Sequence, residues 1–372
     1  MSTFDSGSAR KQFSNKIGRF PLLNRYLAPS LTKRLQGDSW YENRIIRYVL
    51  RDSIWLGDLE NTFSEARLNA IPNSEDIFNV LQGTELDYDE RLFDALAEVR
   101  LARWARIRGY QEIEKLKVEQ SHRTPDFLMK RQGKVVLAEA KHFRTRDYLL
   151  YFVAEQLEGL ALKTDGLTRF GLQVETGNKY DQERDAVLQD RDIWLERTRC
   201  ELTETLLFLL EQYLGCNENA AIEILGGLFE VKRSKTIRVG RVSSTLAGML
   251  SPRETVMLCL SKLQGELMGK LKQIKDFMNT KQIRATRAIV FFSGVDEWEP
   301  EWAEVWSTLN DNGEQWAWDC VASIKAAADA LINIPFDLIV GRYKQKNKKG
   351  GVVRYGSVEY VSFPWKPEDL QP

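Results

Sequence analysis

The hydrophobic and polar positions of residues 86–143 predict one helix followed by three strands. Apolar residues recur at near-helical spacing from Asp89 to Gly109, which is typical of an amphipathic helix. The segment Tyr110–Val118 has the pattern of a strand. Two short apolar runs follow, Pro125–Met129 and Val135–Ala138, and a Gln-Gly pair between them favours a tight turn. The pattern therefore predicts that the last two strands form a hairpin.

The last third of the chain repeats the alternation of helix and strand. The segment Arg253–Ile283 carries one continuous apolar stripe, and Arg287–Ser293 reads as a buried strand directly after it. Two more strands are predicted at Asp337–Val340 and Val352–Val361. Helices that alternate with strands predict the α/β class, with a mixed β-sheet flanked by helices.

Composition and periodicity divide the chain into four regions. We interpret the long stretch after the hairpin as an insertion, although the helix of residues 148–162 and the strand of residues 170–174 are an alternative continuation of the core. The regions are a helical, basic N-terminal region at 1–85, the first part of the core at 86–143, an α+β insertion at 144–252, and the second part of the core with C-terminal strands at 253–372.

The predicted hairpin brings two carboxylates together. With Gln132-Gly133 as a two-residue turn, Asp126 lies opposite Glu139, and opposed strand residues share a face with Cβ atoms about 4.5–5.5 Å apart. Lys141 shares that face because strand side chains alternate. Two carboxylates at roughly 5 Å repel by about 3 kcal/mol at an effective dielectric near 20. Bound Mg²⁺ or Mn²⁺ would offset that cost; the alternative is a surface hairpin with one salt bridge.

Glu98 adds a third acid, in the middle of the predicted helix. Taken alone, Glu98 is explained by a solvated charge or by an ion pair with an arginine of the same helix. The order of a helix with Glu98, a strand, a Pro125-Asp126 strand and a Glu139-x-Lys141 strand resembles the PD-(D/E)xK nuclease superfamily, which has the restriction-endonuclease-like fold. The resemblance covers roughly residues 89–143, together with the later helix and strand.

The resemblance implies a role for each residue of the motif. It implies that Asp126 and Glu139 bind the metal together with the backbone carbonyl of Ala140, that Lys141 is the catalytic lysine, and that Glu98 is an accessory catalytic and metal-binding acid. The implied cofactor is Mg²⁺ or Mn²⁺, and the implied reaction is hydrolysis of a phosphodiester bond. The Gln-and-Tyr motif of exonuclease-like members is not evident, which favours an endonuclease.

Basic residues outside the motif predict where nucleic acid would bind. Residues 221–231 and 236–242 read as a basic hairpin, which would suit a DNA groove or serve as a charged sheet edge. A lysine-rich loop between the last two strands would contact the phosphate backbone or form a solvated tip. His122 has the parity of Asp126 and is an auxiliary candidate at the scissile phosphate. The candidates for nucleic-acid binding are Lys232, Arg233, Lys235, Arg238, Lys346, Lys348 and Lys349.

The composition of the chain is that of a globular protein. The chain has 372 residues, a formal net charge of zero, 43% hydrophobic and 28% charged residues, which is ordinary for a globular protein. With no net charge, attraction to nucleic acid has to be local. No apolar run is long enough to span a membrane. Residues 1–15 are polar with no apolar core, so a secretory signal is not expected there. Four widely spaced cysteines fit neither a zinc site nor a disulfide framework, so a cytoplasmic setting is expected.

The sequence as a whole predicts a metal-dependent endonuclease that acts on DNA. The resemblance adds restriction, or defence against foreign DNA, as an expected role. RNA as the substrate and a non-catalytic, nucleic-acid-binding scaffold subunit remain open alternatives. A homodimer or a partner protein is expected, because members of the superfamily often dimerise to cut both strands.

Overall fold

The structure is a computed structural model, and it describes most of the chain. The described residues are 6–36, 44–51, 53–82, 88–117, 124–143, 148–164, 170–180, 191–217, 219–234, 242–245, 252–293, 300–310, 313–349 and 352–370.

These residues form helices up to residue 107, and helices interspersed with strands after it. The helices are α1 Ser6–Ile17, α2 Pro21–Tyr26, α3 Ala28–Arg34, α4 Arg44–Arg51, α5 Ser53–Ala66, α6 Glu75–Leu81, α7 Tyr88–Ile107, α8 Tyr148–Lys163, α9 Arg191–Glu201, α10 Glu204–Cys216, α11 Pro252–Lys281, α12 Pro300–Asn310 and α13 Gln315–Leu331. The strands are β1 Glu112–Lys115, β2 Phe127–Arg131, β3 Lys134–His142, β4 Gly171–Thr176, β5 Ala221–Ile224, β6 Phe229–Ser234, β7 Val242–Thr245, β8 Arg287–Ser293, β9 Phe336–Lys349 and β10 Val352–Ser362.

The chain divides into two compact units, each made of two separate stretches. The smaller unit comprises Met1–Gly57 and Arg146–Leu250, and the larger unit comprises Asp58–Thr145 and Ser251–Pro372. The larger unit contains a six-stranded sheet and the smaller unit a four-stranded sheet. Mixed sheets flanked by helices agree with the predicted α/β class.

The six-stranded sheet has the order β1-β2-β3-β8-β9-β10. The three central strands β3, β8 and β9 are parallel, and the strands on either side pair antiparallel. The β2–β3 turn has positive φ at Gln132 (51°) and Gly133 (75°), as a two-residue hairpin turn requires. Arg131 pairs with Lys134 and Phe127 with Ala138, so the predicted register is confirmed.

Two helices cover opposite faces of this sheet. On α7, Phe93 stacks on His142 with ring centroids 4.9 Å apart. Leu137 and Val290 lie instead in a core with α11, and residues of one strand alternate between the two faces. In the six-stranded sheet, β3 lies between β2 and β8. Strand β4, which follows β3 in the chain, belongs to the four-stranded sheet.

The apolar stripe predicted for α11 is buried. Burying one such aliphatic side chain contributes about 1.5–3 kcal/mol, so the stripe holds the helix in one rotation about its axis. That rotation determines which polar residues of α11 face the sheet. The fully buried members are Val256, Leu260, Leu263, Leu267, Leu271 and Ile274.

Two predicted elements of the smaller unit differ in the structure. The pattern of residues 183–214 predicts one continuous charged helix. In the structure α9 ends at Glu201, and the Thr203 side chain accepts a hydrogen bond from the Leu206 amide at the start of α10. Thr is a good N-cap because its hydroxyl satisfies an orphan amide, and that local bond outweighs the continuous helical pattern. Residues 181–190 lie outside the described part of the chain.

The predicted hairpin of residues 221–231 and 236–242 differs in its first segment, and residues 235–241 lie outside the described residues. A 3₁₀ turn, Leu225–Gly227, splits the first segment, so that β5 and β6 form the hairpin instead. Positive φ at Leu225, Gly226 and Gly227 breaks the strand there, which the Gly-Gly pair allows. The later strand β7 pairs parallel with β4, which separates it from β6 in the sheet.

The C-terminal strands are longer than predicted. Strand β9 continues through the lysine-rich segment to Lys349, so this segment is part of a strand and not a loop. Strand β10 pairs with it, with register shifts near Val352 and Arg354.

In the described part of the chain, no helix combines the length and the apolar character that crossing a membrane requires. All four cysteines are free thiols.

Candidate functional site

Asp126 and Glu139 meet where strand β2 begins. Asp126 immediately precedes the first residue of β2, and its backbone amide donates a hydrogen bond to Glu139 Oε2 over 3.2 Å. Glu139 is only 3% exposed. The structure therefore brings together the two carboxylates that the hairpin register predicts to be opposed.

These acids lie where strand β3 extends past its neighbour. Beyond Ala138, β3 has no partner residue in β2, yet its backbone N–H groups still need acceptors. Asp126 Oδ2 accepts the Ala140 N–H at 2.7 Å, and Asp94 Oδ1 accepts the His142 N–H at 3.1 Å. An unpaired buried N–H costs about 1–3 kcal/mol, so these carboxylates stabilise the open edge of the strand.

Lys115 links two of the acids. Its ammonium lies 2.8 Å from Asp126 Oδ1 and 2.8 Å from Glu98 Oε2, and its side chain is 5% exposed. Glu98 thus forms its ion pair with a lysine of β1, and not with an arginine of its own helix α7. Asp94 lies one turn before Glu98 on α7, which places both acids on the same side of the helix.

Two residues of α11 contact the carboxylate oxygens of Glu139. Lys270 Nζ lies 2.5 Å from Glu139 Oε1, and Gln273 Nε2 lies 3.1 Å from Oε2. The same Gln273 amide donates to the Thr124 carbonyl at 2.8 Å. The buried stripe of α11 sets the rotation that directs Lys270 and Gln273 at Glu139.

Lys141 pairs with an acid of helix α7. It shares the sheet face of Glu139, as the alternation of the strand predicts, but its ammonium forms an ion pair with Asp94 Oδ2 at 2.9 Å. Its side chain is 33% exposed, far more than that of Lys115. Lys141 is therefore the lysine of the cluster that solvent reaches most easily.

The acids are crowded enough to shift their protonation. Burial raises the pKa of Glu139 to about 8, and the charge of Asp126 adds to the shift. Burial likewise raises the pKa of Glu98 to about 8, again with help from Asp126, and Glu98 Oε2 is fully buried. Burial alone lowers the pKa of Lys115, but Asp126 and Glu98 outweigh it and raise the pKa. Lys270 behaves in the same way, mainly because of Glu139.

The donor set fits a hard divalent cation in its chemistry. Asp126, Glu139 and Glu98 offer oxygen ligands, which Mg²⁺ and Mn²⁺ prefer. The N–H and C=O of one strand residue face the same side, so the Ala140 carbonyl faces the side of Asp126 as its N–H does. Within the described ranges, however, no three or more His, Cys, Asp or Glu side chains are grouped so as to hold a metal ion. The acids are instead paired with Lys115 and Lys270.

The other predicted site residues belong to the smaller unit, have side chains that the structure does not describe, or lie outside the described residues. Lys232 forms an ion pair with Glu175, and the Arg233 guanidinium lies 4.8 Å from the ring centroid of Phe170, both in the smaller unit. His122, Lys235 and Arg238 lie outside the described residues. Lys346, Lys348 and Lys349 belong to β9, and the structure does not describe their side chains.

Four residues of the cluster are absent from the sequence-based site: Asp94, Lys115, Lys270 and Gln273. The sequence contained a signal for Asp94: it precedes Glu98 by four residues on the predicted helix, so both acids are expected on the same helix face. Lys115 also had one, because strand alternation places it on the same face as the apolar residue Ile113. Lys270 and Gln273 had none, because the sequence does not show which way α11 faces the sheet.

Comparison with known proteins does not add to this geometry. No family model, no curated protein and no solved structure matches the chain.

Proposed function

We propose that this protein is a divalent-metal-dependent endonuclease that hydrolyses phosphodiester bonds of DNA. The observation that carries the proposal is the gathering of Glu98, Asp126 and Glu139 at the open edge of β3. These acids are linked through Lys115 and through the Asp126 amide, and the pKa values of Glu98 and Glu139 are raised to about 8. Groups with such shifts, collected from separate elements, are typical of functional sites.

The order of elements around the cluster supports the same proposal. Helix α7 is followed by β1, β2 and β3, and then by α11 and β8 in the same sheet. This is the succession of helix, three strands, helix and strand that the resemblance to PD-(D/E)xK nucleases implies. The restriction-endonuclease-like fold is therefore part of the proposal.

Each residue of the cluster has a role in the proposed reaction. Asp126, Glu139 and the Ala140 carbonyl would hold Mg²⁺ or Mn²⁺, with Glu98 as an accessory acid. The ion would supply Lewis acidity at the phosphoryl oxygen. Lys141 would contact the phosphate and orient the attacking water, and its partial exposure leaves it within reach of a substrate. Asp94 would position the Lys141 ammonium through their ion pair.

The proposal is tested with the full chain and four substrates. Plasmid, linear duplex, single-stranded DNA and RNA are incubated with Mg²⁺ or Mn²⁺, and cleavage is followed for wild type, Glu139→Gln and Lys141→Met. We expect DNA cleavage that stops in EDTA and falls at least 100-fold in both variants, because removing one charge-stabilising group typically costs about 10²–10³ in rate.

The matched control is Glu112→Gln. Glu112 is an exposed acid on β1 whose partner is Lys130, so this change removes a strand carboxylate outside the cluster and is expected to leave cleavage unchanged. Cleavage of RNA alone would change the substrate of the proposal. Equal cleavage by wild type and Glu139→Gln would contradict the assigned site.

One observation favours a second candidate function, a non-catalytic scaffold that binds nucleic acid. Lys115 and Lys270 already neutralise the acids without a metal, as a purely structural ion network would. Retained DNA binding without cleavage of any substrate in the same experiment would support the scaffold.

A further inference from the structure

We infer that Lys115 and Lys270 are resident counter-ions of the cluster, which hold its carboxylates in place before a divalent cation binds and which that cation must displace. The inference rests on the proposed function and deepens it. It makes both lysines positioning residues, and it states that they weaken the affinity of the site for metal.

The position of Lys115 is the first argument. One ammonium lies 2.8 Å from oxygens of two different acids, Glu98 and Asp126. Bridging two carboxylates in this way is what a bound cation does. Because Lys115 is 5% exposed, water screens its attraction to the two acids poorly.

Lys270 pairs with the third acid, Glu139. It lies 2.5 Å from Glu139 Oε1, and Glu139 is the most buried carboxylate of the cluster, with 3% of its side chain exposed. Lys270 comes from α11, whereas Lys115 comes from β1. The two ammonium groups therefore approach the acids from different elements, and neither can replace the other.

Charge decides how the two states compete. When all three acids are ionised, their three negative charges and the two ammonium groups leave only one negative charge, so the incoming cation meets a nearly neutral site. Replacing one lysine with methionine keeps the length of the side chain but leaves one more negative charge uncompensated. A divalent cation is then attracted more strongly by the variant than by wild type. Its binding therefore stabilises the folded variant more than it stabilises wild type.

The experiment measures metal binding without nucleic acid. Mn²⁺ is titrated calorimetrically into wild type, Lys115→Met and Lys270→Met, and thermal unfolding of each is recorded with and without the ion. We expect each variant to bind Mn²⁺ at least ten-fold more tightly than wild type and to show a larger increase in Tm on adding the ion. Lys115→Arg, which keeps the charge, is expected to return the affinity toward that of wild type.

Matched lysines outside the cluster separate this effect from a loss of net positive charge. Lys130→Met on β2, the strand that pairs with β1, and Lys272→Met on α11 remove lysines that lie outside the cluster and are more exposed, and both should leave the Mn²⁺ affinity unchanged. If Lys115→Met does not fold, as checked by circular dichroism, the more exposed Lys270 decides the question alone.

The outcomes distinguish this inference from the proposed function. Unchanged or weaker Mn²⁺ binding in Lys270→Met, with binding intact in wild type, overturns the inference and leaves the nuclease proposal standing. If no form of the protein binds Mn²⁺, both fail. Tighter binding in the variants together with no cleavage of any substrate by wild type supports the inference and contradicts the nuclease.

Discussion

Glu139 of the six-stranded sheet and Glu175 of the four-stranded sheet are the same kind of residue in similar places. Both are buried glutamates on inner strands, and each forms an ion pair with a lysine. Glu175 pairs with Lys232 of the neighbouring strand and accepts a hydrogen bond from Gln173 on its own strand. Its lysine partner is 40% exposed.

Glu139 differs because other elements bring further charges to it. Asp126 lies beside it, Lys270 and Gln273 reach it from a helix across the sheet face, and Lys115 and Glu98 join through Asp126. A buried acid on a strand with one lysine is thus explained by local pairing. The convergence of several acids from separate elements is what distinguishes the candidate site.

The largest expected difference between the two sheets is in stability. Asp126→Ala leaves the Ala140 N–H without its acceptor and leaves Lys115 with Glu98 alone. Breaking a buried ion pair from one side costs about 3–5 kcal/mol, so we expect the free energy of unfolding to fall by that amount. Urea denaturation of both proteins at pH 7 measures it; a loss below 1 kcal/mol would mean that the cluster does not stabilise the fold.

The next difference is the dependence of stability on pH. The folded-state pKa of Glu98 is raised from 4.5 to about 8, so the folded chain binds this proton more tightly than the unfolded chain. The stability that protonated Glu98 contributes to the fold is complete below pH 4.5, falls as the pH rises and is lost above about pH 8. Burial raises the pKa of Glu139 to the same value, so both acids act in one direction.

This pH dependence is checked by removing one titrating group. Urea denaturation at pH 6 and pH 8.5 should show wild type losing more stability over this interval than Glu98→Gln, because the amide cannot titrate. Identical losses in both proteins would show that Glu98 does not titrate in this range.

The smallest expected effect lies in the other sheet. Lys232→Met breaks an ion pair whose lysine is 40% exposed, and such pairs contribute about 0.2–1 kcal/mol. Urea denaturation should therefore show a change within 1 kcal/mol. A loss as large as that of Asp126→Ala would remove the distinction between the two sheets.

Local patterns predicted much of the larger unit. The amphipathic helix that became α7, the turn at Gln132-Gly133 and the stripe of α11 all follow from the periodicity of nearby residues. The first segment of the basic hairpin is broken at Leu225–Gly227, and the partner of β7 is β4, which lies about 70 residues earlier in the chain and leaves no mark in the local pattern. Strand pairing at such separations depends on the whole fold.

The sequence by itself determined the register that opposes Asp126 and Glu139, because side-chain alternation on a short hairpin is a local property. Only the tertiary structure decided which cations meet these acids. Lys270 is 131 residues from Glu139 and reaches it through the rotation of α11, which buried apolar contacts set. Lys141 illustrates the same limit: its face was predictable, but its partner Asp94 depends on how α7 packs against the open edge of β3.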